Sequence, residues 1–167
     1  MSDTPTPPGL PPPADPAAPS ARRPVVVRHT LPAPPERVFR LFTTSGDLQR
    51  WFCDAVDTEP REGGLLHAAW QDDEGEPWDR MGRFVVFEPP RRVVIEWEAP
   101  VPERLQVAIM AADGGTCEVT VVSPLPVVDA AVRDEVLREA ATAGWAHTFE
   151  ALAGLLDAEA RAREPAR

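Results

Sequence analysis

The sequence predicts an α+β fold in which a long C-terminal helix packs against a curved antiparallel sheet of about six to seven strands, with two short helices after the first strand. Three observations carry this. Strand-like runs follow one another through short Gly- and Pro-marked links; no helical segment interrupts the last six of them; and residues 129–162 contain no proline while carrying an apolar stripe at helical spacing. Parallel βαβ units are excluded, because each needs a crossover of about a dozen residues or more.

The chain opens on a segment that cannot fold alone. Residues 1–24 hold nine of the 21 prolines, and the only large apolar residue after Met1 is Leu10. Too little surface could be buried there to offset the entropy of ordering, so an extended, disordered Pro-rich tail is expected. Its charges cancel, Asp3 and Asp15 against Arg22 and Arg23. The acidity of the protein therefore resides in the body.

At Val25 the β-branched run VVVRHTL begins a first strand, ended by Pro32 and the Pro34-Pro35 pair. Pro35 suits the first turn of a helix, and Val38, Leu41 and Phe42 fall at i, i+3 and i+4 of it. Ser45 and Asp47 offer N-cap oxygens for a second short helix ending near Trp51. Six strands are then expected over 52–58, 65–71, 78–87, 93–98, 104–111 and 117–123. Their turns are marked by Gly63-Gly64, Gly75, Pro89-Pro90, Pro100 and Gly114-Gly115. In the final helix Trp145, Thr148, Phe149, Leu152, Leu155 and Leu156 share one face, Glu139, Glu150 and Asp157 lie on the opposite arc, and Asp129 is the expected N-cap. Ala140, Gly144 and Ala151 form a small-residue flank that either lets the sheet approach or leaves open space. The end of the chain, 161–167, is expected to fray.

Composition excludes several functions. The formal net charge is -10 among 167 residues, which opposes binding to nucleic acid or to anionic membranes. All seventeen basic residues are Arg, and Lys, Tyr and Asn are absent, a pattern of GC-rich coding rather than of function. Two cysteines, Cys53 and Cys117, lie far apart with no second ligand at metal spacing, so no disulfide framework, metal site or cofactor is expected. No apolar run reaches the 18 or so residues of a membrane span and no secretory signal is evident, from which a cytoplasmic location is expected.

The order of elements resembles the helix-grip (START-like, Bet v 1-like) fold. Local sequences resemble the SRPBCC superfamily, in the branch of the Hsp90 ATPase activator homologue family. The matching residues are Pro34 to Phe39, Leu48 with Trp51-Phe52, Gly63-Gly64, Gly82, Glu88 to Val93, Trp97, Gly115-Thr116, and Gly144-Trp145 with Leu152 and Leu156. On this resemblance residues 25–160 form a START-like SRPBCC domain. Ser123-Pro124 stands where relatives often carry a histidine, which removes any role borrowed from that position.

No nucleophile elbow, zinc helix or phosphate loop occurs, so no catalytic residue is assigned. The most informative inventory is aromatic: Trp51, Trp70, Trp78, Trp97 and Trp145 sit on separate elements that the fold would gather around one interior, either filling it or lining a cavity. Of Arg80 and Arg83, alternation places one on the concave face, where it could meet a ligand carboxylate. His67 and His147 are the histidines to examine, and Glu96 and Glu118 the acids. The expected ligand-binding set is thus Trp51, Trp70, Trp78, Arg83, Trp97, Trp145, His67 and His147. The expected partner is a small hydrophobic molecule held between sheet and helix. The alternatives are a cyclase- or dehydratase-type enzyme and a protein-interaction module like the C-terminal domain of Hsp90 activators.

Overall fold

The computed structural model describes residues 23–98, 103–125 and 131–165. Strand β1 (Val25–Leu31) leads into helices α1 (Pro35–Leu41) and α2 (Ser45–Leu48). The chain continues through β2 (Ala55–Thr58), β3 (Leu65–Gln71), β4 (Pro77–Glu88), β5 (Arg92–Trp97), β6 (Glu103–Ala111) and β7 (Cys117–Ser123), and ends in α3 (Asp134–Arg163). The seven strands form one antiparallel sheet in the order β1-β7-β6-β5-β4-β3-β2. This is the helix-grip α+β arrangement expected from the sequence.

Alternation sets the two faces of the sheet. Leu66 and Ala68 of β3, Phe84 of β4, Val93, Ile95 and Trp97 of β5, Leu105, Val107 and Ile109 of β6, and Val119 and Val121 of β7 point inward and are buried. Against them α3 lays Phe149, Leu152 and Leu156, all in the same core. His29 of β1 stacks on Phe149 at 5.1 Å between ring centres with the planes 7° apart, so this histidine is a packing residue of the helix–sheet seam. Nearer the start of α3 a second cluster joins Leu137 to Val25 and Leu125.

Some local expectations are corrected. Thr44 occupies the N-cap position of α2, and no side chain caps that helix. Ser45 instead accepts from the Thr58 amide (3.1 Å), joining α2 to β2, while Asp47 is turned to Arg37. Strand β2 starts at Ala55 because Trp51 and Phe52 lie in the turn after α2, where the Phe52 amide donates to Leu48 (2.8 Å). The final helix begins at Asp134, with Arg133 at its N-cap position, and continues to Arg163. Asp129, and the tail except for Arg23 and Pro24, lie outside the described residues. The Arg138 guanidinium donates to the carbonyls of Pro24 (3.2 Å) and Arg23 (2.5 Å), anchoring that entry to α3. Gly144, on the small-residue flank, is exposed, and a Cβ there would meet nothing within 4 Å.

An ion-pair network fastens the far end of α3. Arg37 of α1 donates to both Asp47 oxygens (3.0 and 2.7 Å) and to both Glu159 oxygens (2.9 and 2.7 Å), and Arg50 also donates to Glu159. The hydrogen bonds from Arg37, joined by the one from Arg50, outweigh partial burial and hold the Glu159 carboxyl at about 2. Burial pushes Asp47 up, but the bonds from Arg37 and the Thr44 hydroxyl and the charges of Arg37 and Arg40 together leave it below the usual carboxylate range. Among the described residues no helix is long and apolar enough to cross a membrane.

Candidate functional site: an aromatic cleft

At the end of the sheet beneath Trp145 lies a cleft of about 400 Å³, lined by Phe52, Trp70, Trp78, Arg80, Trp97, Glu103, Leu105, Ser123, Pro124 and Trp145. Its walls come from the β3–β4 hairpin, from β5, β6 and β7, and from α3. The volume falls within the range of about 300–1,000 Å³ usual for small-molecule sites.

The hairpin register builds one wall. Trp70 and Trp78 are direct cross-strand partners, and their rings stack at 4.3 Å with planes 12° apart. Trp70 is further fixed by its indole N–H, which donates to the Phe52 carbonyl (2.7 Å), and by the edge-to-face contact of its ring with Phe52 at 5.2 Å. Trp78, 48% exposed, forms the lip. Trp97 supplies the floor, and its place depends on Gly82, its register partner on β4.

Arg80 lies two residues from Trp78 and so on the same face. Its guanidinium carbon sits 5.1 Å from the centre of the Trp97 ring, and its Nη2 donates to Glu103 of β6 at 3.0 Å. The two side chains are 24% and 22% exposed, so water screens this pair only in part. The Arg80 Nε is buried and, among the described residues, has no hydrogen-bond partner.

Four of the expected site residues, Trp70, Trp78, Trp97 and Trp145, meet in the cleft. The other four do not. Trp51 is locked into the layer behind it, its indole N–H donating to Leu41 (2.8 Å) and its ring meeting Phe42 edge-on at 5.2 Å. Arg83, three residues from Arg80, falls on the outer face and donates to the Gly63 carbonyl (3.0 Å), so Arg80 is the concave-face arginine. His67 is exposed on the outer face and pairs with Asp79 (2.6 Å), and His147 is exposed on α3. Sequence reasoning did not assign Phe52, Glu103, Leu105, Ser123 or Pro124 to the site, and of the two arginines it weighed it placed Arg83 rather than Arg80 in the binding set. The two-residue offset from Trp78 would have selected Arg80; Glu103 enters only through the pairing of β6 with β5, where it opposes Trp97.

The acids expected to serve chemistry face away. Glu96 accepts from Arg104 Nε (2.8 Å) and Nη2 (2.7 Å) on the outer face, and Glu118 alternates with the buried Cys117 and Val119. Burial raises both thiols, Cys117 to about 11, which keeps them protonated at neutral pH.

None of the functionally curated proteins matches the chain in sequence. Several solved structures share its fold. Protein NE0264 from Nitrosomonas europaea is 18% identical with a TM-score of 0.65, over 82% of this chain and 96% of its own. A protein from Rhodobacter sphaeroides is 25% identical with a TM-score of 0.62, over 83% of this chain and 94% of its own. Protein SA2116 from Staphylococcus aureus, described as of unknown function, is 14% identical with a TM-score of 0.68, over 84% and 98%. The family model of the activator of Hsp90 ATPase homolog 1-like proteins matches residues 32–157, a stretch that takes in β2 to β7 and most of α3 but not β1. The chain belongs to the activator of Hsp90 ATPase homolog 1-like family.

Proposed function

We propose that the protein binds a small, largely apolar molecule in the cleft between the sheet and α3. The observation that carries this reading is the convergence of Trp70, Trp78, Trp97 and Trp145 on about 400 Å³ of space that no side chain fills. Four indoles and Phe52 offer flat apolar surface at little conformational cost to a ligand, and the partly exposed lip gives it an entrance.

Binding is favoured over catalysis because Glu96 and Glu118 are turned from the cleft, and the one carboxylate lining it among the described residues, Glu103, is already engaged by Arg80. An enzyme of the cyclase or dehydratase kind needs an acid or base within reach of its substrate and free to exchange a proton.

The test is a titration of intrinsic tryptophan fluorescence, with thermal melting in parallel, against fatty acids, aromatic polyketides and sterol-like compounds. Saturable quenching with a rise in Tm is expected, since selective binding to the native state stabilises it. Silence across all three classes in the full chain, with Trp78 still accessible to acrylamide, would overturn the reading.

A further inference from the structure

The polar groups of the cleft are unevenly divided between donors and acceptors. A guanidinium carries five N–H donors, and in Arg80 a single one is used among the described residues, to Glu103. Among the described residues no hydrogen bond satisfies the indole N–H of Trp97 or Trp145, whereas that of Trp70 is used by Phe52. On the acceptor side the lining side chains offer the Glu103 carboxylate, whose Oε2 takes the Arg80 bond, and the Ser123 hydroxyl, which donates to the Pro124 carbonyl at 3.4 Å; their remaining acceptor sites are fewer than the unused N–H groups of Arg80 and the two indoles. The cleft therefore holds donors in excess, one of them cationic and set against an indole face.

From this we infer that the ligand is an amphipathic carboxylic acid whose carboxylate is taken by Arg80 while its apolar body lies between the tryptophans. The inference rests on the cleft being a ligand site, as proposed above, and adds the class of molecule. A carboxylate matches the unused donors because, when ionised, it only accepts, and a guanidinium can meet both of its oxygens in one plane. Partial burial makes such a bond stronger than its equivalent at an open surface. An apolar molecule with no acceptor would leave a partly dehydrated cation with the same single partner it has now. A cationic molecule would be repelled by Arg80, which already covers the face of Trp97 that a cation would seek. Glu103 has a definite part in this arrangement: it holds the guanidinium over Trp97 and competes with an incoming carboxylate for it.

The experiment uses dodecanoate and dodecanol, which share a chain and differ in the head group, titrated into the full-length protein and into Arg80→Met and Glu103→Gln variants at pH 7.5. Dodecanoate is expected to bind at least about 10-fold more tightly than dodecanol, in line with a hydrogen bond to a charged group. Arg80→Met should bring the acid to the level of the alcohol without weakening the alcohol, and Glu103→Gln should tighten the acid alone. A merely structural Arg80–Glu103 pair would instead lower the affinity for both compounds in both variants, and that result would overturn the inference. Equal or tighter binding of dodecanol to the unaltered protein would also overturn it while leaving the apolar cleft intact. If neither compound binds and the broader panel is silent as well, the cleft reading fails and this inference fails with it.

Discussion

Gly82 and Trp97 face each other across β4 and β5, and a Cβ on Gly82 would come within 2.9 Å of Cε3 of the Trp97 indole. The ring has nowhere simple to go. Arg80 covers one face, the Phe52 ring lies 5.9 Å away, and the Glu96 carbonyl limits the same Cβ at 3.3 Å. Gly82→Ala is therefore expected to cost about 1–3 kcal/mol through overpacking and to displace the floor of the cleft. Urea unfolding should show the loss of stability, and the near-ultraviolet tryptophan spectrum the displacement.

Arg37 joins α1, α2 and α3 through one guanidinium. Glu159→Gln leaves the side-chain shape almost unchanged and removes the charge that Arg37 and Arg50 share, so a loss of about 2 kcal/mol is expected, the scale of a charged hydrogen bond. Arg37→Met should cost more, because it removes four hydrogen bonds to Asp47 and Glu159, both largely buried side chains, and leaves the more exposed Arg50 as the cation they share. Chemical denaturation of the two variants at pH 7 measures the difference.

The same network makes stability depend on acid. Glu159 titrates at about 2 in the folded protein, and Asp47 also lies below its ordinary value, whereas in the unfolded chain both return to about 4. Groups with depressed folded values contribute stability above the unfolded value and lose it as pH falls through the folded one. The urea midpoint should thus hold between pH 7 and 5 and drop between about pH 4.5 and 2. In Glu159→Gln that drop should be shallower, which a series of midpoints against pH would reveal.

Trp78 and Trp70 stack on each other, yet their substitutions should behave differently. Trp78 is half exposed, so Trp78→Ala is expected to cost no more than about 1.5 kcal/mol, the worth of an aromatic pair. It should weaken ligand binding about 10-fold, as expected for loss of an anchoring aromatic. Trp70 is part of the core layer and holds Phe52 by its indole N–H, so Trp70→Ala should cost about 3 kcal/mol or more and disturb folding as well as binding. Parallel melting curves and fluorescence titrations separate the two effects.

Cys53 and Cys117 are both buried, and burial raises both thiols. A disulfide-exchange reagent should therefore leave both unmodified in the native protein over hours and react with two thiols per chain once urea is added. Absorbance of the released thiolate gives the count directly.

The sequence alone determined the architecture of this protein. Period-two alternation and turn residues mark the strands, with β1, β3 and β7 at their observed limits, and the stripe of Phe149, Leu152 and Leu156 marks the gripping helix. These are local signals: the backbone repeats every two residues in a strand and every 3.6 in a helix, so a face can be read from neighbours in the chain. Tertiary structure decided the site. Five tryptophans look alike in sequence, and only the seating of Trp51 behind α1 separates it from the four that meet in the cleft. Arg80 and Arg83 were distinguished by which face of β4 is concave, and Glu103 and Glu159 found their arginines 23 and 122 residues away. Such pairings depend on strand register and on where the helix lands, and long-range packing of the whole core sets both, leaving no periodic trace near the residues themselves.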